Sequence, residues 1–386
     1  MFAERTRWNL TANRLSQALA RHRAAGRKLL DLSASNPTEC GFQYDQHAIL
    51  GSLSRPAALH YHPDPLGLKI ARDAVSEYYA GFGLPVDPAS LVLTTGTSEA
   101  YSFVFRLQCN PGDEVLIATP SYPLFDFLAE IQDVKLVRYA LFYDHGWHID
   151  FHALEQLLTP RTRGIIVVHP NNPTGHFTKP DEMRRLSEIC GARGMSIIAD
   201  EVFLDFALEG RPQSFIANQD ALTFTMSGLS KISGLPQMKL AWLAVSGPTE
   251  AKREALARLE VIADTYLSLN TPVQLAAGSL LNQRHAFQQQ LMARVRKNLA
   301  ELDLQLARQK TCARLEVEGG WYAVLRVPAT RPDEELAVEL LERHDVYVHP
   351  GHFYGFSSDG YLVVSLIAPE ADFREGVARI LEHLVC

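Results

Sequence analysis

A chain of 386 residues exceeds what one hydrophobic core usually holds, so two domains are expected. With 47% hydrophobic and 21% charged residues it has the composition of a soluble globular protein, and no apolar run is long enough to span a bilayer. A net charge of −7 and a pI near 6.1 give no general attraction to nucleic acid or to an anionic membrane. The five cysteines (Cys40, Cys109, Cys190, Cys312 and Cys386) are odd in number, scattered and without CxxC spacing. Reduced thiols in a cytoplasmic protein follow, and neither a disulfide frame nor a zinc site is expected.

Residues 1–30 carry seven basic side chains from Arg5 to Lys28 but no apolar run of the kind a signal peptide needs, and they predict an amphipathic entry helix with a basic outer face. Next come short apolar runs separated by segments of helical spacing. LVLTT (91–95) precedes the helical SEAYSFVFRLQ, and EVLIATP (114–120) precedes PLFDFLAEIQ. VKLVRYAL (134–141) reads as a strand, and GIIVVHP (164–170) leads into the helix DEMRRLSEICGARG with its glycine stop. MSIIADEVF (195–203), ALTFTMS (221–227) and LAWLAVSG (240–247) complete the series. Strands of near-continuous Val, Ile and Leu alternating with helices predict an α/β fold whose mainly parallel sheet is covered on both faces.

After about residue 250 a long helical stretch, from TEAKREALARLEVIADTYL towards FQQQLMARVRKNLAELDLQLARQ, is expected to cross into a smaller α+β domain. That domain would be built from ARLEVEGGWYAVLRVP, EELAVELLERH, DVYVHPG, GYLVVSLI and FREGVARILEHLV. The expected division is 1–45 as a segment joining the small domain, 46–275 as the large domain and 276–386 as the small one.

Ligands of such sheets bind at the carboxyl ends of the strands. Polar residues stand there in this chain. GTSEA (96–100) follows the first strand and places Thr97 and Ser98 at a helix start; an ordinary N-cap is the plain reading, a phosphate site the sharper one. TPSYP places Tyr122 past the second strand, NNPTG (171–175) presents Asn172, and Asp200 abuts a buried run where a carboxylate is costly unless it meets a cation. SGLSKISGLPQMKLAW then sets Lys231 among small residues, a stretch that in isolation reads as a solvated turn. One ligand uses all of these: a phosphorylated, protonated aromatic heterocycle with an aldehyde, which describes pyridoxal 5'-phosphate held by a lysine Schiff base.

The ordered set NNPTG, ADEVF, SGLSK…GLP and VHPGHFYGF, with Lys231 lying 31 positions after Asp200, resembles the class I/II aminotransferases of the fold-type-I pyridoxal-phosphate family, which are similar to aspartate aminotransferase. The likeness covers essentially the whole chain. It implies that Lys231 carries the cofactor and serves as general base, that Asp200 pairs with the pyridine nitrogen and that Asn172 donates to the ring oxygen. It also implies that Tyr122 stacks on the ring and that Thr97, Ser98, Ser227, Ser230 and Lys239 surround the phosphate. Tyr61, in HYHPDPLG, resembles a tyrosine that reaches the neighbouring subunit's phosphate, so a homodimer with shared sites is implied. The implied reaction moves an amino group between a small-molecule amino donor and a 2-oxo acid, without nucleic-acid or membrane partners.

Four positions depart from the pattern. Gly228 stands where a phosphate-binding serine is common, Lys239 where an arginine is, and Phe203 where a tyrosine is. Val363, in GYLVVSL, stands where the arginine that holds the substrate carboxylate is usual; Asn172, Asn36 and His349 or His352 are the candidates to take over. That loss keeps a lyase or decarboxylase on the same fold as the enzymatic rival. A pyridoxal-phosphate-binding regulator would need a DNA-binding module that residues 1–30 are too few to form. His60 and His62, which flank Tyr61, could suggest a metal but are read as surface residues; His145 and His148 show no metal-ligand spacing, and no metal is expected.

Overall fold

The structure, a computed structural model, describes every residue except Arg211 and Cys386. Its strands are β1 (Leu30–Asp31), β2 (Leu91–Thr94), β3 (Glu114–Thr119), β4 (Lys135–Tyr143), β5 (Trp147–Ile149), β6 (Thr162–Val168) and β7 (Ser196–Asp200). They continue with β8 (Thr223–Gly228), β9 (Ala241–Ser246), β10 (Ala313–Arg314), β11 (Tyr322–Arg326), β12 (Val346–Tyr347), β13 (His349–Pro350) and β14 (Tyr361–Ser365). The helices are α1 (Arg14–Ala24), α2 (Gln46–Leu53), α3 (Lys69–Ala80), α4 (Thr97–Gln108), α5 (Leu124–Glu130), α6 (Phe151–Gln156) and α7 (Pro180–Arg193). After them come α8 (Leu229–Ile232), α9 (Thr249–Asp264), α10 (Thr271–Asn282), α11 (Arg284–Leu306), α12 (Asp333–His344) and α13 (Glu370–Val385).

Short polar residues start several helices by accepting an otherwise unpaired backbone N–H: Asn13 from Ser16, Asp45 from Ala48, Asp150 from Ala153 and Asn270 from Val273. Gly194 ends α7 at φ 63°, the glycine stop expected there.

The larger sheet has eight strands in the order β2-β9-β8-β7-β6-β3-β4-β5. Its centre, β8-β7-β6-β3-β4, is parallel, whereas β9, β2 and β5 pair antiparallel at the two sides. Every residue of β2, β7, β8 and β9 is buried, as strands covered by helices on both faces must be. A second, antiparallel sheet of order β10-β11-β14-β13 forms the smaller unit. The N-terminal segment joins this unit: β1 pairs parallel with β12, and α1 packs on α12.

Two expectations change. The entry helix is confined to α1; before it only a 3-10 turn (Glu4–Thr6) forms, because Asn13 caps the helix where its own side chain takes the Ser16 N–H. On it Arg21 pairs with Glu342 at 2.8 Å, and past its end Arg27 pairs with Asp345 at 2.8 Å. The long helical stretch is three helices. Leu267 turns left-handed at φ 43°, and Asn270 and Pro272 restart the chain as α10, proline fitting the first turn because no partner awaits its missing N–H. α10 packs on α2 and α3 while α11 packs on α13, so the chain passes between the two units at Gln283.

Candidate active site

Three neighbouring strands deliver the central residues to one sheet edge. β6, β7 and β8 run parallel with Val168 opposite Asp200 and Asp200 opposite Met226. β6 therefore opens into His169–Asn172, β7 ends on Asp200, and β8 runs through Gly228 into α8, which carries Lys231.

Asp200 is 7% exposed. Its carboxylate accepts from the Tyr101 hydroxyl at 3.1 Å and from the Val202 N–H at 3.2 Å, two bonds that only partly offset burial, which raises the group to about 6. Burial also draws Lys231 down to about 8, with the charge of Asp200 acting the other way. Among the described residues the Lys231 Nζ makes no ion pair; it lies 4.9 Å from the Trp321 ring centroid and 5.7 Å from that of Phe203. In the cofactor-free protein, carbamylation of Lys231 by cyanate should therefore follow an ionisation near 8, and exposed lysines one near 10.4, as mass spectrometry across a pH series will read.

Asn172 is buried and its Oδ1 has no hydrogen-bond partner; the same holds for Ser121 Oγ and Ser233 Oγ. A buried polar atom left in this state costs about 1–3 kcal/mol, which a ligand with matching groups would recover. The turn that carries Asn172 is itself well tied. His169 donates from Nε2 to the Gln213 carbonyl at 2.8 Å and accepts the Thr178 N–H at Nδ1. The Thr174 hydroxyl joins His176 Nδ1 at 2.7 Å and accepts from Asn171. Burial holds His169 at about 4 and His176 at about 3. Both folded values lie below the unfolded one of about 6.5, so the stability they confer is complete above that pH and falls as pH drops towards 4. Urea unfolding should show each histidine subtracting about 2 kcal/mol between pH 7.5 and pH 5, and His169→Gln should shrink that difference.

The features suited to an anion lie at the start of α4. Gly96 caps this 12-residue helix without a side-chain bond, leaving the first-turn amides of Thr97 and Ser98 open. Lys239, in a left-handed conformation at φ 52°, brings its Nζ to that helix end, 3.5 Å from where a Cβ on Gly96 would lie. Ser230 precedes Lys231 in α8, and the buried Ser227 hydroxyl lies 3.4 Å from the Glu201 carbonyl oxygen. Gly228 has a steric cause: a Cβ there would stand 2.7 Å from Ala241 Cβ on the paired strand β9, so no serine fits without moving that strand.

Tyr122 is 43% exposed; partial burial of its phenol raises the group, and the nearby Asp200 carboxylate adds to the rise. Tyr61 projects from the surface at 76% exposure. Asn36 spends its Oδ1 on the N–H and hydroxyl of Thr38. His349 shares a 3.0 Å hydrogen bond with the Tyr354 hydroxyl, whereas His352 is exposed in the turn that follows β13. Phe203 packs edge-on to Trp321 at 4.8 Å, and Val363 is 1% exposed on β14. Tyr101 and Trp321 were not among the residues expected at the site. Tyr101 has a signal in the sequence, one helical turn after Thr97; Trp321 has none, because a chain separation of 90 positions (321 − 231) joins it to Lys231.

The fold is that of the fold-type-I aminotransferases. Among solved structures, alanine aminotransferase from Pyrococcus furiosus superposes with a TM-score of 0.90 over the whole of both chains at 23% identity. In sequence, the profile of the family described as aminotransferase class I and II matches residues 8–380, and the chain belongs to that family. It is 29% identical to glutamate-pyruvate aminotransferase AlaA of Escherichia coli (strain K12) over 259 residues, which is 66% of this chain and 64% of that one. The chain thus spans less than two-thirds of that relative's length. It is 25% identical to alanine aminotransferase of Mycobacterium tuberculosis (96% and 88% covered) and 26% identical to LL-diaminopimelate aminotransferase of Dehalococcoides mccartyi (95% and 94%). Enzymes of this family use pyridoxal phosphate. The residues present here suit that group: a cation at a helix start for a phosphate, a buried carboxylate for a ring N–H, and a lysine of lowered proton affinity.

Proposed function

We propose that this protein is a pyridoxal-phosphate-dependent aminotransferase that moves an amino group between an amino donor and a 2-oxo acid, with Lys231 as its catalytic lysine. The observation that carries the reading is the pairing, at one sheet edge, of Lys231 held near 8 with the buried Asp200 carboxylate. Pyridoxal phosphate, when bound, supplies an electron sink for the bonds at the substrate's α-carbon. Thr97, Ser98, Ser227, Ser230 and Lys239 would hold its phosphate, and Tyr122 would flank the ring. Asp200, ionised, would keep a proton on the ring nitrogen, and Tyr101 fixes the carboxylate's orientation. The Asn172 Nδ2 would donate to the ring oxygen.

Lys231 acts as the base. As a free amine its Nζ would take the proton from the substrate's α-carbon and hand it on to the cofactor carbon that carried the aldehyde, and a value near 8 leaves an appreciable neutral fraction at neutral pH. The rings of Trp321 and Phe203 flank that nitrogen. Tyr61, exposed on one subunit, reaches the phosphate of a second in a homodimer that works in the cytoplasm. A stopped-flow panel tests the reading. Amino acids added singly should shift the visible absorbance of the purified protein, and a 2-oxo acid should restore it. Turnover that releases product without any 2-oxo acid would instead identify a lyase or decarboxylase.

A further inference from the structure

Directly opposed residues of an antiparallel sheet share a face. Tyr322 with Ser365, Val324 with Val363, Val363 with His349, and Arg326 with Tyr361 therefore all lie on one side of the small sheet. That side is turned towards the N-terminal segment and the large sheet, because the Ser365 hydroxyl donates to the Ala34 carbonyl at 2.6 Å and Tyr322 stands against Ser35 and Tyr122. It meets the Lys231 site through Phe203, whose ring centroid is 6.4 Å from that of Tyr322 and 5.7 Å from Nζ.

The chemistry of this wall is neutral. Val324 and Val363, each 1% exposed, offer no polar atom. Its polar groups are the phenols of Tyr322 and Tyr354 and the ring of His349, the last two sharing a 3.0 Å hydrogen bond. Tyr354 lines one cavity with Ser121 and Tyr122, and the cation of that cavity, Arg138, is already spent on both carboxylate oxygens of Asp126. Burial pushes Tyr322 up to about 12 and Tyr354 well above the ordinary phenol, and it lowers His349, so in neutral solution none of the three carries a charge. The strands' one cation on this side, Arg326, stands a pair further out than Val363, opposite Tyr361, whose ring stacks on Phe356. It lines a different cavity, of about 300 Å³, with Trp147 and Tyr143.

We propose that Tyr322 and Tyr354 receive the substituent on the substrate's α-carbon, so that an amino acid's carboxylate is held by neutral hydroxyl donors and by no cation. The proposal rests on the reading of Lys231 given above. A guanidinium distinguishes carboxylate from amide by charge; a hydroxyl donates to either carbonyl oxygen. The substrate class is accordingly α-amino acids together with their uncharged derivatives, amides and esters, taken with little preference.

Half-reaction kinetics on the holoenzyme test this with L-alanine, L-phenylalanine and their amides, read from the absorbance of the bound chromophore. The kcat/KM ratio of acid to amide is expected to be about 10 or less. Tyr322→Phe and Tyr354→Phe should each lower kcat/KM for both members of a pair by about 10-fold, chiefly through KM, with thermal midpoint and chromophore spectrum unchanged. An acid preference of about 1,000-fold that survives both changes and collapses in Arg326→Met would overturn the proposal in favour of a displaced cation. Tyrosine variants that alter neither member of a pair would overturn the assignment to these two hydroxyls. If none of the four compounds shifts the chromophore, the Lys231 reading fails, and the proposal with it.

Discussion

Lys231→Ala should lower amino-group transfer by about 10⁴-fold or more while leaving the fold intact. The two effects separate because this side chain does little for stability. Among the described residues its Nζ makes no ion pair, and its position over Trp321 and Phe203 is worth about 1 kcal/mol, against which stands the cost of keeping an ammonium out of water. Lys231→Arg should be equally inactive, since a guanidinium keeps the charge but never becomes a free amine. Methylamine added to the alanine variant should restore part of the proton transfer, as a small base entering the vacated space. Steady-state assay with and without methylamine, beside a thermal melt, measures both effects. An alanine variant that retained a tenth of the activity would remove Lys231 from the chemistry.

Asp200→Asn should reduce transamination by about 10²–10⁴-fold and at the same time stabilise the cofactor-free protein. The second effect follows from linkage. Asp200 has a folded value of about 6 against 3.8 for the ordinary carboxyl, so the folded state favours its protonated form. Stability from that preference is complete below the unfolded value and is lost as pH rises through 6; above it, the ionised carboxylate costs about 3 kcal/mol. Asparagine keeps the acceptor for Tyr101 and Val202 without the charge. Losing the attraction to Lys231 takes back part of the gain, leaving about 1–2 kcal/mol near pH 7.5 and none near pH 3.5. Denaturant unfolding of the cofactor-free proteins at the two pH values checks the sign. A variant less stable at the higher pH would mean that the carboxylate is satisfied by protein groups alone, leaving no place for a ligand's ring nitrogen.

Much of this arrangement is legible in the sequence because strand ends are. A run such as MSIIA fixes where a buried strand stops, and the residue that follows, Asp200, must then sit at the sheet edge with the residues that follow its neighbours. Asn172 and Lys231 come to the same edge by the same rule. What sequence spacing does not carry is contact between distant segments. Trp321 under Lys231, the Ala241 backbone that excludes a side chain at Gly228, and the joining of β1 to β12 all arise from packing between parts of the chain far apart in sequence. The division of the helical stretch after residue 250 was within reach, since Asn270 followed by Pro272 is a helix start; the strength of the apolar periodicity on either side hides it.

Asn36 shows the opposite limit. The sequence offers it as a substrate ligand, but in the folded chain its Oδ1 is already committed to Thr38. The neutral wall of Tyr322, Tyr354 and His349 depends on which residues face each other across β11, β13 and β14, and that register is fixed by the folded sheet.

The account turns on one covalent attachment. The holoprotein, reduced with borohydride, digested and mapped by mass spectrometry, should carry the pyridoxyl phosphate mass on Lys231 in stoichiometric amount, and the same treatment of Lys231→Ala should leave every peptide unlabelled. The mass found on Lys239, or on any other lysine of the natural protein, would contradict it.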